Sequence, residues 1–520
     1  MKERKYDLKL IITSLALILG IVFYLAAKPE QGTEAANWLF NTFTTLFGSY
    51  TLIFTFLSFL TLIYLFFSKF GNIRLDHVKP EYSNFSWVAM MLSAGLGSAT
   101  VYWGFVEWAY YYTTPALGVT PESSGAYEWA MAYNLFHWGF SAWGLYCIAA
   151  LPVAYHFHVR KNKGLSLSAV FLSITGWQSK AWIGKIIDLI FIFTCFGGLS
   201  ITLALSIPLI SEGIAKVLGI GSSFTMNIII VIIISIIYSL SSYIGIEKGM
   251  KRISDLNTYF AIGFALLLFI MGPSIFILKN TTNGLGLMFQ NFIHMSLWTD
   301  PIDNGGFPEG WTIFYWLYWI TYTPFMAIFV TKVSKGRKIK ELILNMVISG
   351  SLGCWFFFGI LSNFSMNKNI TGAINVPGVL DSLGGNVVIM QILGELPWSS
   401  LFILMFTIIS TLFLATTLDS ASYTLAATVT PGLKNNQDPS ALLRLFWCVM
   451  LAVVPLTMIL IKAPLNTIKT AAIITAVPLT FILIVMIIGF LKWMVKDYGH
   501  IPVHEIVKES ELKSGEKEIV

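Results

Sequence analysis

The sequence predicts an all-α polytopic membrane protein, and three observations lead to this class. Hydrophobic residues make up 56% of the 520 residues and charged residues 12%. Mean hydropathy is +0.72, more apolar than the core of a soluble protein could use. Apolar segments long enough to span a bilayer recur along the whole chain. The four cysteines lie in apolar runs without paired spacing, so we expect neither a disulfide framework nor a metal site.

Twelve segments have spanning length, and each is predicted to form a transmembrane helix. They lie near 8–27, 50–68, 84–112, 130–158, 183–212, 224–243, 257–278, 311–332, 341–363, 398–429, 441–461 and 465–491. Lys and Arg gather in alternate loops, so the positive-inside rule places both termini in the cytoplasm of a bacterial-type cell, with the chain in its inner membrane. The net charge of +6 reflects these loops, and no nucleic-acid partner is expected.

Two predicted spans carry a helix-breaking feature. The third has Gly95 and Gly97, where a helix can unwind, and the eighth has Pro324, which lacks a backbone donor. Each opens a block of five helices, which indicates an inverted-repeat transporter with its site at the repeat interface. Close helix packing explains the glycines equally well. The predicted divisions are two N-terminal helices (1–83), the first repeat (84–278), an extracellular or interfacial linker helix (279–310), the second repeat (311–491) and a cytoplasmic tail (492–520). The last twenty or so residues of this tail are expected to be disordered.

The eighth span carries a stripe of aromatic side chains. On a helix, one face holds Trp311, Tyr315, Tyr318, Trp319 and Tyr322. The stretch 310–330 contains no acid and no base, so a polar ligand would meet the faces of aromatic rings there. These faces favour a quaternary ammonium ion, which has no N–H to donate. The alternative is that the rings pack between helices or form an interfacial belt.

A second aromatic cluster lies in the fourth span, in the segment FHWGFSAWGLY. Trp138, Trp143 and Tyr146 fall within one arc of a helix and can turn toward one neighbour. Tyr110, near the end of the third span, is placed to complete a box with Trp138, Trp143 and Trp319 around a trimethylammonium group. Packing in the core is the alternative for each ring.

The tenth span places two hydroxyl side chains in an apolar helix, Thr416 and Thr417. If they face unwound backbone near Ser93 and Leu96, these oxygens suit a sodium ion. Alternatively, each threonine bonds a carbonyl of its own helix. Lys251, at the start of the seventh span, is either a positive-inside anchor or a tethered ammonium that takes the place of a coupling cation.

Motif evidence for an enzyme is weak, because the chain has no HExxH, no GxSxG and no phosphate-binding loop. The rival from that class is a membrane-embedded enzyme acting on choline-like substrates, with His137 and Glu107 as acid and base. An osmosensing receptor is a third hypothesis, but the C-terminal tail is short and not strongly basic. We therefore predict a transporter with no resident cofactor, and sodium only as a coupling ion.

Three long motifs resemble the betaine/carnitine/choline transporters. They are WGFVEWAYYYTTP at 103–115, FHWGFSAW at 136–143, and GGFPEGWTIFYWLYWITYTPFMAIFVTKVSKGRKIKEL at 305–342, and the likeness extends from about residue 8 to residue 495. The resemblance implies twelve helices, two inverted five-helix repeats as in sodium symporters, and a homotrimer in the lipid bilayer. It also implies secondary active transport of carnitine, glycine betaine, choline or a related methylated amine by alternating access.

The resemblance also assigns substrate residues. Tyr110, Trp138, Trp143 and Trp319 match the central aromatic box of the family, with Tyr146 and Tyr322 nearby. Tyr318 stands where the family usually has tryptophan, and Trp311 resembles an outer aromatic position in the substrate pathway. Met326 is similar to a methionine that contacts substrate in the sodium-independent carnitine/γ-butyrobetaine exchanger.

The same resemblance gives conflicting ion assignments. Phe413, Thr416 and Thr417 resemble the sodium site of the sodium-coupled betaine carriers. Thr194 and Phe325 resemble half of a second sodium site, but its other threonine is Gly198 here. Lys251 falls where the exchanger has an arginine in place of sodium. Sodium symport and substrate/product exchange therefore both remain open.

Overall fold

The computed structural model describes residues 6–94, 97–164, 166–244, 250–430 and 439–511, and the side chains of these residues except 92–94, 98, 238–244, 250–254 and 510. The described ranges contain twenty α-helices, and their only bridge of β type joins Arg74 to Lys338. The helices of the first half are α1 (Leu8–Ala27), α2 (Pro29–Phe67), α3 (Asn84–Ala94), α4 (Ser98–Thr113), α5 (Ser124–His137), α6 (Phe140–Ala154), α7 (Leu167–Thr175), α8 (Ala181–Leu218), α9 (Phe224–Ile244) and α10 (Met250–Met271). The helices of the second half are α11 (Ser274–Leu297), α12 (Phe314–Val333), α13 (Ile339–Leu344), α14 (Gly350–Ile370), α15 (Val376–Leu383), α16 (Gly385–Gly394), α17 (Ser399–Thr428), α18 (Ala441–Leu460), α19 (Leu465–Tyr498) and α20 (Val503–Ser510).

Each of the twelve predicted spans coincides with helix, and the all-α membrane fold class is confirmed. Within the described ranges, nine helices are long and apolar enough to cross a membrane, or ten if a pair bent by 109° at residues 272–273 is one span. The count of twelve and the division into repeats stay predictions. The tail is not wholly disordered, because α20 is helical and Ile506 within it is buried against the bundle.

The predicted break in the third span is present. Helix α3 ends at Ala94, and α4 begins at Ser98 after Gly97, whose backbone is extended. Gly95 lies outside the described residues. The span therefore enters the bundle as two helices, and the second carries Glu107 and Tyr110 inward.

The predicted interruption at Pro324 is wrong, since α12 runs through it to Val333. Proline lacks the N–H that would bond the Ile320 carbonyl one turn earlier. The hydroxyl of Thr323 donates to that carbonyl instead, at 2.8 Å. A neighbouring side chain thus replaces the missing backbone donor, and the irregular part of this span is the wider π-helical turn Pro308–Ile313 at its start.

The fourth span has a break that the sequence analysis missed. Helix α5 ends at His137 and α6 begins at Phe140, with Gly139 between them. A Cβ atom at Gly139 would lie 2.5 Å from the Leu135 carbonyl oxygen and 3.0 Å from Nε1 of Trp355, so only glycine fits. The Trp355 indole donates to the same carbonyl at 2.7 Å, which satisfies a group that the break removes from the helix ladder.

Basic segments predicted to share one side of the membrane meet at one end of the bundle where the structure describes them, after α2, α6 and α12 and at the end of α19. Asp76, after α2, pairs with Lys161, after α6, at 2.7 Å and with Lys335, after α12, at 3.9 Å. Arg160 pairs with Asp497 of α19 at 3.6 Å. We call this region the basic end. Its orientation toward the cytoplasm stays a prediction.

Candidate substrate-binding site

Four predicted aromatic side chains converge in the middle of the bundle, and we call them the aromatic cage: Trp138, Trp143, Tyr146 and Trp319. Their exposed fractions are at most 7%. The centroid of the Trp319 ring lies 5.4 Å from that of Trp138, 6.0 Å from Trp143 and 4.8 Å from Tyr146. Such separations are typical of rings in direct contact, about 4.5–7 Å. A trimethylammonium group would therefore have to part the rings in order to enter.

Close backbone approach holds Trp143 in this cluster. The backbone of Gly350, the first residue of α14, packs against the Trp143 indole, and a Cβ atom at Gly350 would be 2.1 Å from that ring. The break at Gly139 brings Trp138, the residue just before it, next to Trp319. The geometry of the cage thus depends on two glycines from different spans.

Tyr110, which we predicted in the central box, is not in the aromatic cage. Its ring contacts in the described structure are with Trp103, at 6.2 Å, and Trp311, at 5.2 Å. It lines a separate cavity of about 350 Å³, which we call the Lys469 cavity. Tyr110 lies near the end of α4, about one turn beyond Glu107, which is the residue of this helix that contacts Trp138.

The aromatic stripe of the eighth span divides between two neighbouring helices. Tyr315 and Trp319 face Trp138, whereas the hydroxyls of Tyr318 and Tyr322 lie 2.9 Å and 2.7 Å from the hydroxyl of Thr202 on α8. At about 100° per residue, Tyr318 and Trp319 mark opposite edges of the stripe. Helix α12 therefore presents one edge to the cage and the other to α8.

Glu107 is buried beside the cage and holds the ring of Trp138 in place. One carboxylate oxygen accepts from the Tyr111 hydroxyl at 2.6 Å. The other accepts from the Trp138 indole at 2.9 Å and from the Tyr315 hydroxyl at 2.5 Å. The carboxylate thus ties α4, the break after α5 and α12 together, and it holds the Trp138 ring in one orientation.

His137 joins the same network through both ring nitrogens. Nδ1 lies 2.8 Å from the Tyr111 hydroxyl, and Nε2 lies 3.0 Å from the hydroxyl of Thr312. Because Tyr111 gives its only proton to Glu107, Nδ1 is assigned as the donor and Nε2 as the acceptor. Both groups proposed as acid and base of an enzyme are therefore occupied by neighbouring side chains.

The hydroxyls considered for sodium bond carbonyls in this structure. Thr416 and Thr417 both donate to the carbonyl of Phe413, at 2.9 Å and 2.8 Å. Thr194 donates to Ile190 at 2.7 Å and to Thr475 at 3.2 Å. The own-helix alternative describes Thr416 and Thr417 as they stand, whereas Thr194 also donates to a carbonyl of α19; each oxygen keeps a lone pair.

The remaining ion and substrate candidates are dispersed. Phe325 and Met326 are half-buried on α12, and the Phe325 ring lies 5.6 Å from that of Phe191.

A Cβ atom at Gly198 would lie 2.2 Å from the Thr321 hydroxyl, so close packing of α8 on α12 excludes a threonine there. Leu96 and the side chains of Ser93 and Lys251 lie outside the described structure.

A buried lysine is the main feature that sequence reasoning missed. Nζ of Lys469, on α19, lies 3.5 Å from the centroid of Trp311 and 4.4 Å from that of Phe314, and it donates to the Gly310 carbonyl at 2.9 Å. The side chain is 2% exposed. The available signal was a lone charge inside an otherwise apolar span, which marks a functional candidate.

A helix bundle with broken spans and aromatic rings gathered inside it defines a membrane transporter. The chain belongs to the BCCT family, the betaine/carnitine/choline family of transporters, whose model matches residues 9–499. It is 44% identical over 504 residues to a carnitine transporter of Acinetobacter baumannii, covering 97% of this chain and 92% of the relative. It is 46% identical over 444 residues to the uncharacterized transporter YeaV of Escherichia coli K12, covering 85% of this chain and 92% of the relative.

These findings confirm the predicted family, the transport of quaternary ammonium compounds and the assignment as a transporter rather than an enzyme. The protein is a multi-pass membrane protein with bacterial relatives. The solved structure of a Na+-coupled sialic acid symporter in its substrate-bound outward-open state matches with a TM-score of 0.36 and 15% identity, over 82% of this chain and 94% of that one. A likeness this low supports no inference about the coupling ion.

Proposed function

We propose that this transporter carries a zwitterionic trimethylammonium compound of the carnitine type, held in the aromatic cage. The observation that carries the proposal is the convergence of three rings on Trp319, deep in the bundle and without a lipid-facing surface. Ring faces replace the hydration shell of a methylated cation at about 2 kcal/mol or more per desolvated contact. The 44% identity to a carnitine transporter supports this choice of substrate.

Polar groups beside the cage favour a substrate that also carries an acceptor. The Trp319 indole N–H is buried, and no described residue accepts from it. Both oxygens of Glu107 are already used by three donors, so this carboxylate is a poor counter-ion for the substrate. A carboxylate or hydroxyl oxygen on the ligand would satisfy the Trp319 donor, whose desolvation otherwise costs about 1–3 kcal/mol.

Transport then requires the rings to part on one side of the membrane and close again on the other. We propose that the repeats 84–278 and 311–491 rock about the cage, in a homotrimer with cytoplasmic termini. Coupling has two candidates. Sodium symport would use the hydroxyl oxygens of Thr416 and Thr417, whereas substrate/product exchange would use Lys251 in place of the ion.

The cage is tested by Trp319→Ala. This variant is expected to bind carnitine about 5- to 30-fold more weakly, since one cation–π contact of about 1–2 kcal/mol is lost. Trp316→Ala is the matched control, because that ring lies on the same helix and packs against Phe136 and His137 instead. Equal affinity of the wild type and a folded Trp319→Ala protein, measured as binding of labelled carnitine in detergent, would overturn the cage.

Coupling is tested in proteoliposomes. Carnitine uptake that follows an imposed sodium gradient into vesicles without internal substrate supports symport, and uptake that requires preloaded carnitine or γ-butyrobetaine supports exchange. Thr416→Ala with Thr417→Ala should abolish sodium stimulation only in the first case.

A further inference from the structure

The Lys469 cavity is a candidate binding site separate from the aromatic cage, and it contains a charged side chain. It has a volume of about 350 Å³ and is lined by Tyr110, Gly310, Trp311, Pro464, Leu465, Asn466 and Lys469. A continuous series of ring contacts connects it to the cage: Trp311 to Tyr315 at 6.2 Å, Tyr315 to Trp138 at 5.8 Å, and Trp138 to Trp319 at 5.4 Å. The ring of Tyr315 therefore lies between the cavity and the cage.

The cation position on Trp311 is already occupied by the protein itself. The Lys469 ammonium lies 3.5 Å from the ring centroid, well inside the distance of about 6 Å for a cation–π contact. A quaternary ammonium ion approaching the same face would meet a positive charge in surroundings of low dielectric constant, where like charges repel strongly. We therefore do not expect this face of Trp311 to hold the ammonium end of the substrate.

The Lys469 ammonium has N–H groups that are available to a ligand. Of its three N–H groups, one is used by the Gly310 carbonyl. No carboxylate in the part of the chain that the structure describes lies within 4.0 Å of Nζ. A buried ammonium with no carboxylate at ion-pair distance is costly, so an anionic group entering the cavity would gain charge-assisted hydrogen bonds.

We propose that Lys469 is a specificity-determining carboxylate receptor. Before the substrate moves on to the aromatic cage, Lys469 binds the carboxylate of a zwitterionic substrate in the Lys469 cavity, with the trimethylammonium end turned away toward the ring of Tyr110. It thereby discriminates against quaternary ammonium compounds that lack a carboxylate, such as choline. This inference rests on the proposed function. It assigns the choice of substrate to a charge outside the aromatic cage.

The test compares carnitine, carnitine methyl ester and choline as competitors of labelled carnitine. The wild type should bind free carnitine about tenfold or more tightly than the ester or choline, as expected for a hydrogen bond to a charged group. In Lys469→Gln and in Lys469→Met, carnitine should lose about tenfold while choline and the ester are unchanged or improved. Lys469→Arg should keep the wild-type order, and so should Lys462→Gln, the control at an exposed lysine seven residues earlier.

Two results would overturn the proposal. One is a wild type that binds the methyl ester as tightly as carnitine, a measurement that needs no variant to fold. The other is a neutral variant that weakens all three ligands by the same factor, since that describes a structural role. A wild type that binds none of the three ligands would instead overturn the proposed function, and a failure of Trp319→Ala to weaken binding would bear on the cage alone.

Discussion

The aromatic centre and the basic end of the bundle both contain ionisable side chains, but they stabilise them differently. In the centre, the Glu107 carboxylate is fully buried and accepts three hydrogen bonds from uncharged donors. At the basic end, the Asp76 carboxylate is paired with Lys161 and Lys335, whose side chains are 59% and 44% exposed. One region relies on buried, uncharged donors, and the other relies on lysine charges in contact with water.

The difference predicts how the two regions respond to change. A buried acceptor that is removed leaves its donors without partners, and water cannot replace it. A partly exposed ion pair that is removed, such as that of Asp76, whose side chain is 16% exposed, is largely replaced by hydration and was already weakened by salt. The centre should therefore be sensitive to single atoms, and the basic end should be sensitive mainly to pH and ionic strength.

The largest effect is expected for Glu107→Leu. It leaves the hydroxyls of Tyr111 and Tyr315 and the indole of Trp138 without an acceptor, at about 1–3 kcal/mol for each unsatisfied donor. We expect a fall in the unfolding midpoint in detergent and a loss of carnitine binding, since Trp138 is no longer oriented. Glu107→Gln keeps one acceptor oxygen and should fall between this variant and the wild type. If Glu107→Leu and Glu107→Gln have the same unfolding midpoint, the three hydrogen bonds do not stabilise the centre of the bundle.

An intermediate effect is expected for Gly350→Ala. The added methyl group would displace the Trp143 indole, and overpacking of this kind costs about 1–3 kcal/mol. Carnitine affinity should fall several-fold in binding assays, while protein yield and oligomeric state stay the same. Gly286→Ala on α11, where a Cβ atom meets open space, is the control and should bind as the wild type does. Equal binding by both variants would show that Trp143 adapts freely.

Those features of the centre that depend on residue type along one segment could be predicted from the sequence. The apolar lengths of the spans, the break before Ser98 and the presence of Trp138, Trp143 and Trp319 in the interior all follow from composition and helical period. Each of these requires only that an apolar or small residue avoids water or strain.

Features that depend on contacts between distant segments could not be predicted. Helix α12 continues past Pro324 because Thr323 supplies a donor. At the break in the fourth span, Trp355 packs so close to Gly139 that no side chain fits there. Lys469 lies 158 residues beyond Trp311, the ring that it covers, so no local pattern signals their contact. Such relations are set by packing between helices, and periodicity within one helix does not report them.

The smallest effect on stability is expected at the basic end, for Asp76→Asn. Burial raises the pKa of Asp76, but this effect is outweighed by the hydrogen bond and positive charge of Lys161, the hydrogen bond from the His77 N–H and the charge of Lys335. The net pKa therefore lies below the usual value. Asparagine tolerates the left-handed backbone at this position, where φ is 78°, so only the charge is lost. Loss of the ion pairs should cost no more than about 1 kcal/mol.

The sign of the pH dependence distinguishes the ion pairs from a purely structural role. Because the folded pKa of Asp76 is lowered, its contribution to stability is present above the pKa of the unfolded chain and is lost as pH falls through the lower folded value. The difference in unfolding midpoint between the wild type and Asp76→Asn should therefore shrink between pH 7 and pH 3, and also at pH 7 in about 1 M salt. A difference that is constant across pH and salt would mean that Asp76 acts through its backbone geometry, and the contrast with Glu107 would no longer be one of exposed against buried charge.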